Sequence, residues 1–171
     1  MNNNMLLRDI LQSITESHIT SHERLMMERT SNHAIKILSN LRDNNAYNCV
    51  MYALDLRNDL RYIDLVEELP RHIHADTLFL SYLIEKGVLI PSQNGDLIVY
   101  SNDVKITHIG KISSTKRVTS KWGTGHLYEH AINEVPSSYG CNIELYQLIP
   151  NVSIFWYFED FADDGLKRYL K

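Results

Sequence analysis

The hydrophobic period of this 171-residue chain changes once, near Gly87, and that change most limits the folds open to it. Upstream, apolar residues recur three and four apart. Leu6, Leu7, Ile10, Leu11 and Ile14 mark one face of an amphipathic helix. Leu25, Met26 and Met27 lie in a second helical run. Ala34, Ile35, Leu38 and Leu41 form a third, which Thr30, Ser31 and Asn32 are placed to cap. After the polar stretch Arg42–Tyr47, the segment NCVMYALDLRND predicts a mostly buried helix from near Asn48. Further helices are predicted over Leu60–Leu69 and Asp76–Lys86, with Gly87 as the cap that stops the last one. Downstream, Pro91, Gly95 and Asn102 split short apolar runs. Asp96–Tyr100, Lys105–Ile112, Arg117–Trp122, Asn142–Ile149 and Ser153–Phe158 read as strands, and a final helix is predicted over Asp160–Leu170. Helices followed by strands joined through short turns predict an α+β fold, with N-terminal helices packed on a central antiparallel sheet. The expected division is a helical extension over 1–43 and a compact domain over 44–171.

Composition narrows the function. Hydrophobic residues at 44% and charged residues at 22% suit a globular chain, not a disordered one. The net charge of −4 argues against a general nucleic-acid binder, which needs a basic face. There is no GxGxxG or Walker loop. No window approaches the roughly 18 apolar residues of a membrane span. Arg8 and Asp9 interrupt the first apolar residues, so no leader is expected. The chain reads as cytoplasmic when made, with a leaderless export route left open. Two cysteines, Cys49 and Cys141, make neither a disulfide scaffold nor a four-cysteine zinc site.

Cys49 has the sequence context of a nucleophile. A polar loop precedes it and an apolar helix follows, so the helix start is expected to lower its pKa. Its own N–H faces a developing oxyanion there, with Asn44, Asn45 or Asn48 as side-chain donors. The base would come from a neighbouring strand. His108, within KITHIGKI, lies on the strand expected to be central. Ser120, twelve positions on in the next strand, is a candidate to orient it. Tyr47, Trp122 and Lys121 are placed along the cleft. Lys121 belongs with Lys116 and Arg117 to a basic edge suited to an acidic substrate. Cys141 reads as a structural filler.

These pieces resemble the NlpC-type branch of the papain-like cysteine peptidases. Asn48-Cys49-Val50 matches the cysteine that opens a helix, Gly95–Tyr100 (GDLIVY) the turn and strand that follow, and Thr107-His108-Ile109-Gly110 the histidine strand. The likeness covers roughly residues 44–123. A narrower resemblance, to poorly characterised bacterial proteins of the same clan, runs through Ser120–Gly123 (SKWG), His130 and Tyr139–Gly140. It makes His130 the rival of Ser120 for the third position. The resemblance implies a papain-like core and a thiol hydrolase or amidase that cleaves peptide bonds, typically in bacterial cell-wall stems. The same Cys-His chemistry serves deamidation or transglutamination. Without a leader, a delivered effector or toxin or a cytoplasmic amidase is favoured, with a peptide, protein or cell-wall peptide as substrate and room for a partner or immunity protein. No cofactor is implied.

Two other classes compete. One is a non-catalytic binding or regulatory module on the same fold. The other is a metal-binding protein, suggested by the pairs His18/His22, His72/His74 and His126/His130, none of which forms HExxH.

Overall fold

A computed structural model describes residues 7–12, 33–38, 47–113, 116–123 and 125–169. The fold is α+β. Among the described residues, seven strands form one antiparallel sheet in the order β1-β6-β5-β4-β3-β7-β2. They are β1 (Lys36–Ile37), β2 (Leu89–Pro91), β3 (Leu97–Ser101), β4 (Ile106–Ile112), β5 (Val118–Lys121), β6 (Leu127–His130) and β7 (Asn142–Leu148). The histidine strand β4 is the middle one. The helices are α1 (7–12), α2 (Cys49–Ala53), α3 (Leu60–Glu68), α4 (Thr77–Glu85) and α5 (Ile154–Tyr169).

Strand alternation sorts the sheet into two cores. Leu97, Val99, Ile109 and Tyr146 face one side, where α2, α3, α4 and α5 bring Val50, Ala53, Tyr62, Phe79 and Phe158. Ile98, Tyr100, Val118 and Tyr128 face the other, covered by Leu11 of α1, Ile35, Trp122 and Val135. The described parts of the expected extension are therefore built into the domain. β1 completes one sheet edge on β6, with Lys36 opposite Glu129, and α1 packs on the second core.

Several local expectations are corrected. The Ala34–Leu41 helix is absent where described: Lys36–Ile37 is an edge strand, because pairing to β6 outweighs a weak helical period. The strand expected at Ser153–Phe158 is the start of α5. Ile154, Phe155, Phe158 and Ala162 form a buried stripe at helical spacing, and that stripe overrides the strand preference of an aromatic run. Helix α2 is shorter than NCVMYALDLRND suggested, because Asp55 takes a left-handed φ of 59° and breaks it after one turn. A 3-10 turn at Leu56–Asn58 follows. Gly87 does stop α4, with φ 68°. Leu25–Met27 and His18/His22 lie outside the described residues. Among the described residues no helix is long and apolar enough to cross a membrane.

Candidate functional site

Asn48 explains why a helix begins at Cys49. Its Oδ1 accepts from the N–H groups of Val50 and Met51, both at 2.9 Å. Its Nδ2 donates to the Ala75 carbonyl at 2.7 Å, which ties α2 to the start of α4. The side-chain amide is thus engaged at both ends as a cap, and does not point at substrate as an oxyanion donor. Asn48→Ala is expected to cost about 1–2 kcal/mol, measured by urea denaturation. Asn44 and Asn45 lie outside the described residues.

Cys49 is partly buried and packs against the helical core. The N–H groups of Ile109, Cys49 and Val50 point at its sulfur. The Ile109 N–H belongs to the peptide that leaves His108. The ladder joins β4 to β5 at Lys111↔Thr119 and Ile112↔Val118, short of Ile109, so this edge of β4 is open to the sulfur. Burial nevertheless wins. It pushes the thiol up to about 11, against the expected lowering, because the N–H groups and Lys121 recover only part of the desolvation. Over a one-turn helix the backbone dipole is small.

His108 pairs with Tyr100 across the ladder, and so faces the second core, on the far side of β4 from the residues around Val50. It is 1% exposed. Its ring stacks on Tyr139, centroids 3.9 Å apart and planes 11° from parallel. Its Nε2 has no hydrogen-bond partner. Burial first, and His130 second, hold the imidazole well below its ordinary pKa, so it is neutral. Among the described residues no hydrogen bond joins it to Cys49. Tyr139 lies near both groups. Its hydroxyl accepts from the Gly123 N–H and feels the charge of Cys49, while its ring covers His108.

Ser120 does not orient His108. The β4–β5 register places it beside Gly110. Its hydroxyl is 2.8 Å from His130 Nε2. His130 Nδ1 is 2.8 Å from the Ala131 carbonyl and must donate to it, so Nε2 accepts the Ser120 proton. Trp122 Nε1 donates to Ser120 Oγ at 2.9 Å, closing a satisfied chain around a neutral His130. Burial lowers the His130 pKa to about 4. Trp122 is interior and does not wall a cleft.

The expected basic edge is split: Lys116 stays exposed, while Lys121 and Arg117 are engaged by the fold. Lys121 is fully buried and donates to the Gly123 and Gly125 carbonyls, with Nζ 5.4 Å from the Tyr47 ring centroid. Arg117 lies 3.6 Å from Glu129 and donates to the Ala34 carbonyl. Tyr47 stacks under Arg57 at 5.1 Å, and its hydroxyl is buried without a partner. Cys141 is exposed at the start of β7 and fills no core. Among the described residues no three metal-ligating side chains converge. In the sequence Tyr139 stands out only within the Tyr139–Gly140 pair; its place over His108 is set by the fold. At Gly140 the φ is 80° and a Cβ would collide with the Ser101 carbonyl, so the segment turns tightly against β3.

No curated protein and no solved structure matches the chain. One family does, described as a domain of unknown function (DUF7689), over residues 38–147. That span runs from just after β1 into β7 and contains Cys49, His108, Ser120, His130 and Tyr139. The chain belongs to the DUF7689 family.

Proposed function

We propose that this protein is a thiol hydrolase or acyl-transferase with an NlpC-type, papain-like core, acting on an amide or peptide bond. The observation that carries this reading is the seat of the Cys49 sulfur. It lies at the head of α2, against the peptide that joins His108 to Ile109, with N–H groups converging on it. In the reaction the sulfur bonds to the amide carbonyl carbon and its proton passes to His108 around the unpaired edge of β4, where Tyr139 lies near both groups. A neutral imidazole with an unpartnered Nε2 suits that role. The proton then goes to the leaving amine, and water or an amine resolves the thioester. Tyr139, which touches His108, is the natural third member in place of Ser120. A peptide, a protein or a cell-wall stem peptide fits this chemistry, as does a glutamine side chain undergoing deamidation or transglutamination. A delivered effector is one setting for it.

A second reading, a non-catalytic module on the same sheet, is favoured by the raised thiol pKa and by the engagement of Asn48 and Ser120 elsewhere.

Turnover separates the two. Purified protein is incubated with peptidoglycan fragments and with a glutamine-rich protein, and released amine and ammonia are followed. The hydrolase reading expects release that falls by about 10³-fold or more in Cys49→Ala and His108→Ala. No release from either substrate, or full release by Cys49→Ala, overturns it. In the free protein the Cys49 thiolate is expected to form near pH 11, read from the pH dependence of iodoacetamide alkylation at Cys49 by mass spectrometry in a Cys141→Ala background.

A further inference from the structure

The ring that covers His108 is held from outside the sheet. Tyr139 sits in a strap, Val135–Gly140, that crosses the second core. Helix α1 grips this strap at both ends through one side chain. Arg8 Nε donates to the Val135 carbonyl at 3.2 Å, and its Nη2 lies 3.4 Å from the Pro136 carbonyl and donates to that of Gly140. One turn later, Gln12 Oε1 accepts from the Ser138 N–H at 3.0 Å. From the sheet side, the Thr107 hydroxyl donates to the Tyr139 carbonyl at 2.6 Å. Leu11 and Val135, both buried, pack in the same core. A guanidinium suits the task, because its planar fork serves several carbonyls from one side chain, whereas an ammonium acts as a point charge.

We propose that Tyr139 is a positioning residue for His108, and that α1 acts through Arg8 as the latch that seats it. With the latch closed, the Tyr139 ring fixes the imidazole plane and shields it from water. With the latch open, the strap lifts and His108 becomes free to turn and to meet solvent. A device that binds or withdraws the N-terminal segment would thus set the access and orientation of His108. The regulatory meaning of the latch rests on the reading of His108 as the base; the latch itself does not.

Diethyl pyrocarbonate, which acylates exposed neutral imidazoles, tests the latch on the full chain, with modification mapped to each histidine by mass spectrometry. His108 and His130 are both buried and both expected to react slowly in the natural sequence. Arg8→Gln is expected to speed modification of His108 by about tenfold or more, the scale set by losing one or two net hydrogen bonds, and to leave His130 slow. Tyr139→Leu is expected to do the same without touching α1, and Arg8→Lys to recover part of the protection. His130 controls for a loosened fold, since it is held by Ser120 and Ala131 and not by the strap. The proposal is overturned if Arg8→Gln leaves the His108 rate within about twofold of the natural protein, or speeds both histidines equally. If Arg8→Gln does not fold, Tyr139→Leu decides by the same criterion. None of these readouts needs turnover, so failure of the latch and failure of the hydrolase reading are separable.

Discussion

Unfolding free energy is expected to fall by roughly 3 kcal/mol between pH 7 and pH 4 through His130 alone. The folded imidazole titrates near 4, whereas in the unfolded chain it returns to about 6.5. Between those values the unfolded state binds a proton that the folded state refuses, so stability rises with pH across the window. The contribution is almost fully present above about pH 7, is down by about 2 kcal/mol at pH 5, and levels off at a loss of about 3–4 kcal/mol below about pH 3. The cause is burial: His130 is fully enclosed, and charging its ring there forfeits hydration that the Ala131 carbonyl and nearby Glu134 only partly replace. His108, lowered for the same reason of burial, adds loss in the same direction. Urea denaturation at a series of pH values measures the slope, and His130→Asn is expected to flatten it. A stability that stays level from pH 7 to pH 5 contradicts the neutral, buried assignment of both rings.

Phe79→Ala is expected to cost about 3–5 kcal/mol, a large share of the 5–15 kcal/mol that holds a typical domain. Phe79 is fully buried where α4 meets α5. Its ring lies 5.3 Å from both Phe158 and Phe161 and 6.3 Å from Tyr82, so truncation empties the centre of an aromatic cluster. The damage reaches the site. Phe158 also packs edge-on to Tyr62, whose hydroxyl accepts from the Ala75 N–H, and the Ala75 carbonyl holds the Asn48 cap of α2. Phe79→Leu restores most of the lost volume and is expected to cost distinctly less. Thermal and urea unfolding measure both variants. A loss below about 1 kcal/mol for Phe79→Ala means the cluster collapses onto the hole or is not the keystone of this core.

Much of the sheet was legible because its strands carry local signals. Leu97–Tyr100 combines β-branched and aromatic residues after the Asn94-Gly95 turn, and the change of period at Gly87 separates it from the helices. The centre of the sheet was placed correctly for a related reason. A strand with apolar residues on both faces, such as Ile106–Ile112, must be covered twice. Short edge strands and aromatic runs were not legible. Lys36–Ile37 is a strand only because β6 lies beside it, and Phe155–Phe158 joins a helix only because α3 and α4 offer a groove for its stripe.

At the site, the sequence by itself determined that a helix opens near Cys49 and that His108 lies desolvated on a middle strand, while Asn48, read as an oxyanion donor, proved to be the helix cap. Both expectations follow from local chemistry: a polar loop running into an apolar helix in one case and apolar flanks in the other. Only the tertiary structure decided the partners. Register put Ser120 beside Gly110, and so handed its proton to His130. The twofold alternation of β4 turned His108 away from the helical core and under Tyr139, more than thirty residues downstream. Burial depth raised the Cys49 pKa where helix position alone pointed down. Dipoles and caps act within a turn of chain, so sequence carries them. Desolvation and pairing depend on what the rest of the fold brings alongside, and no local pattern encodes that.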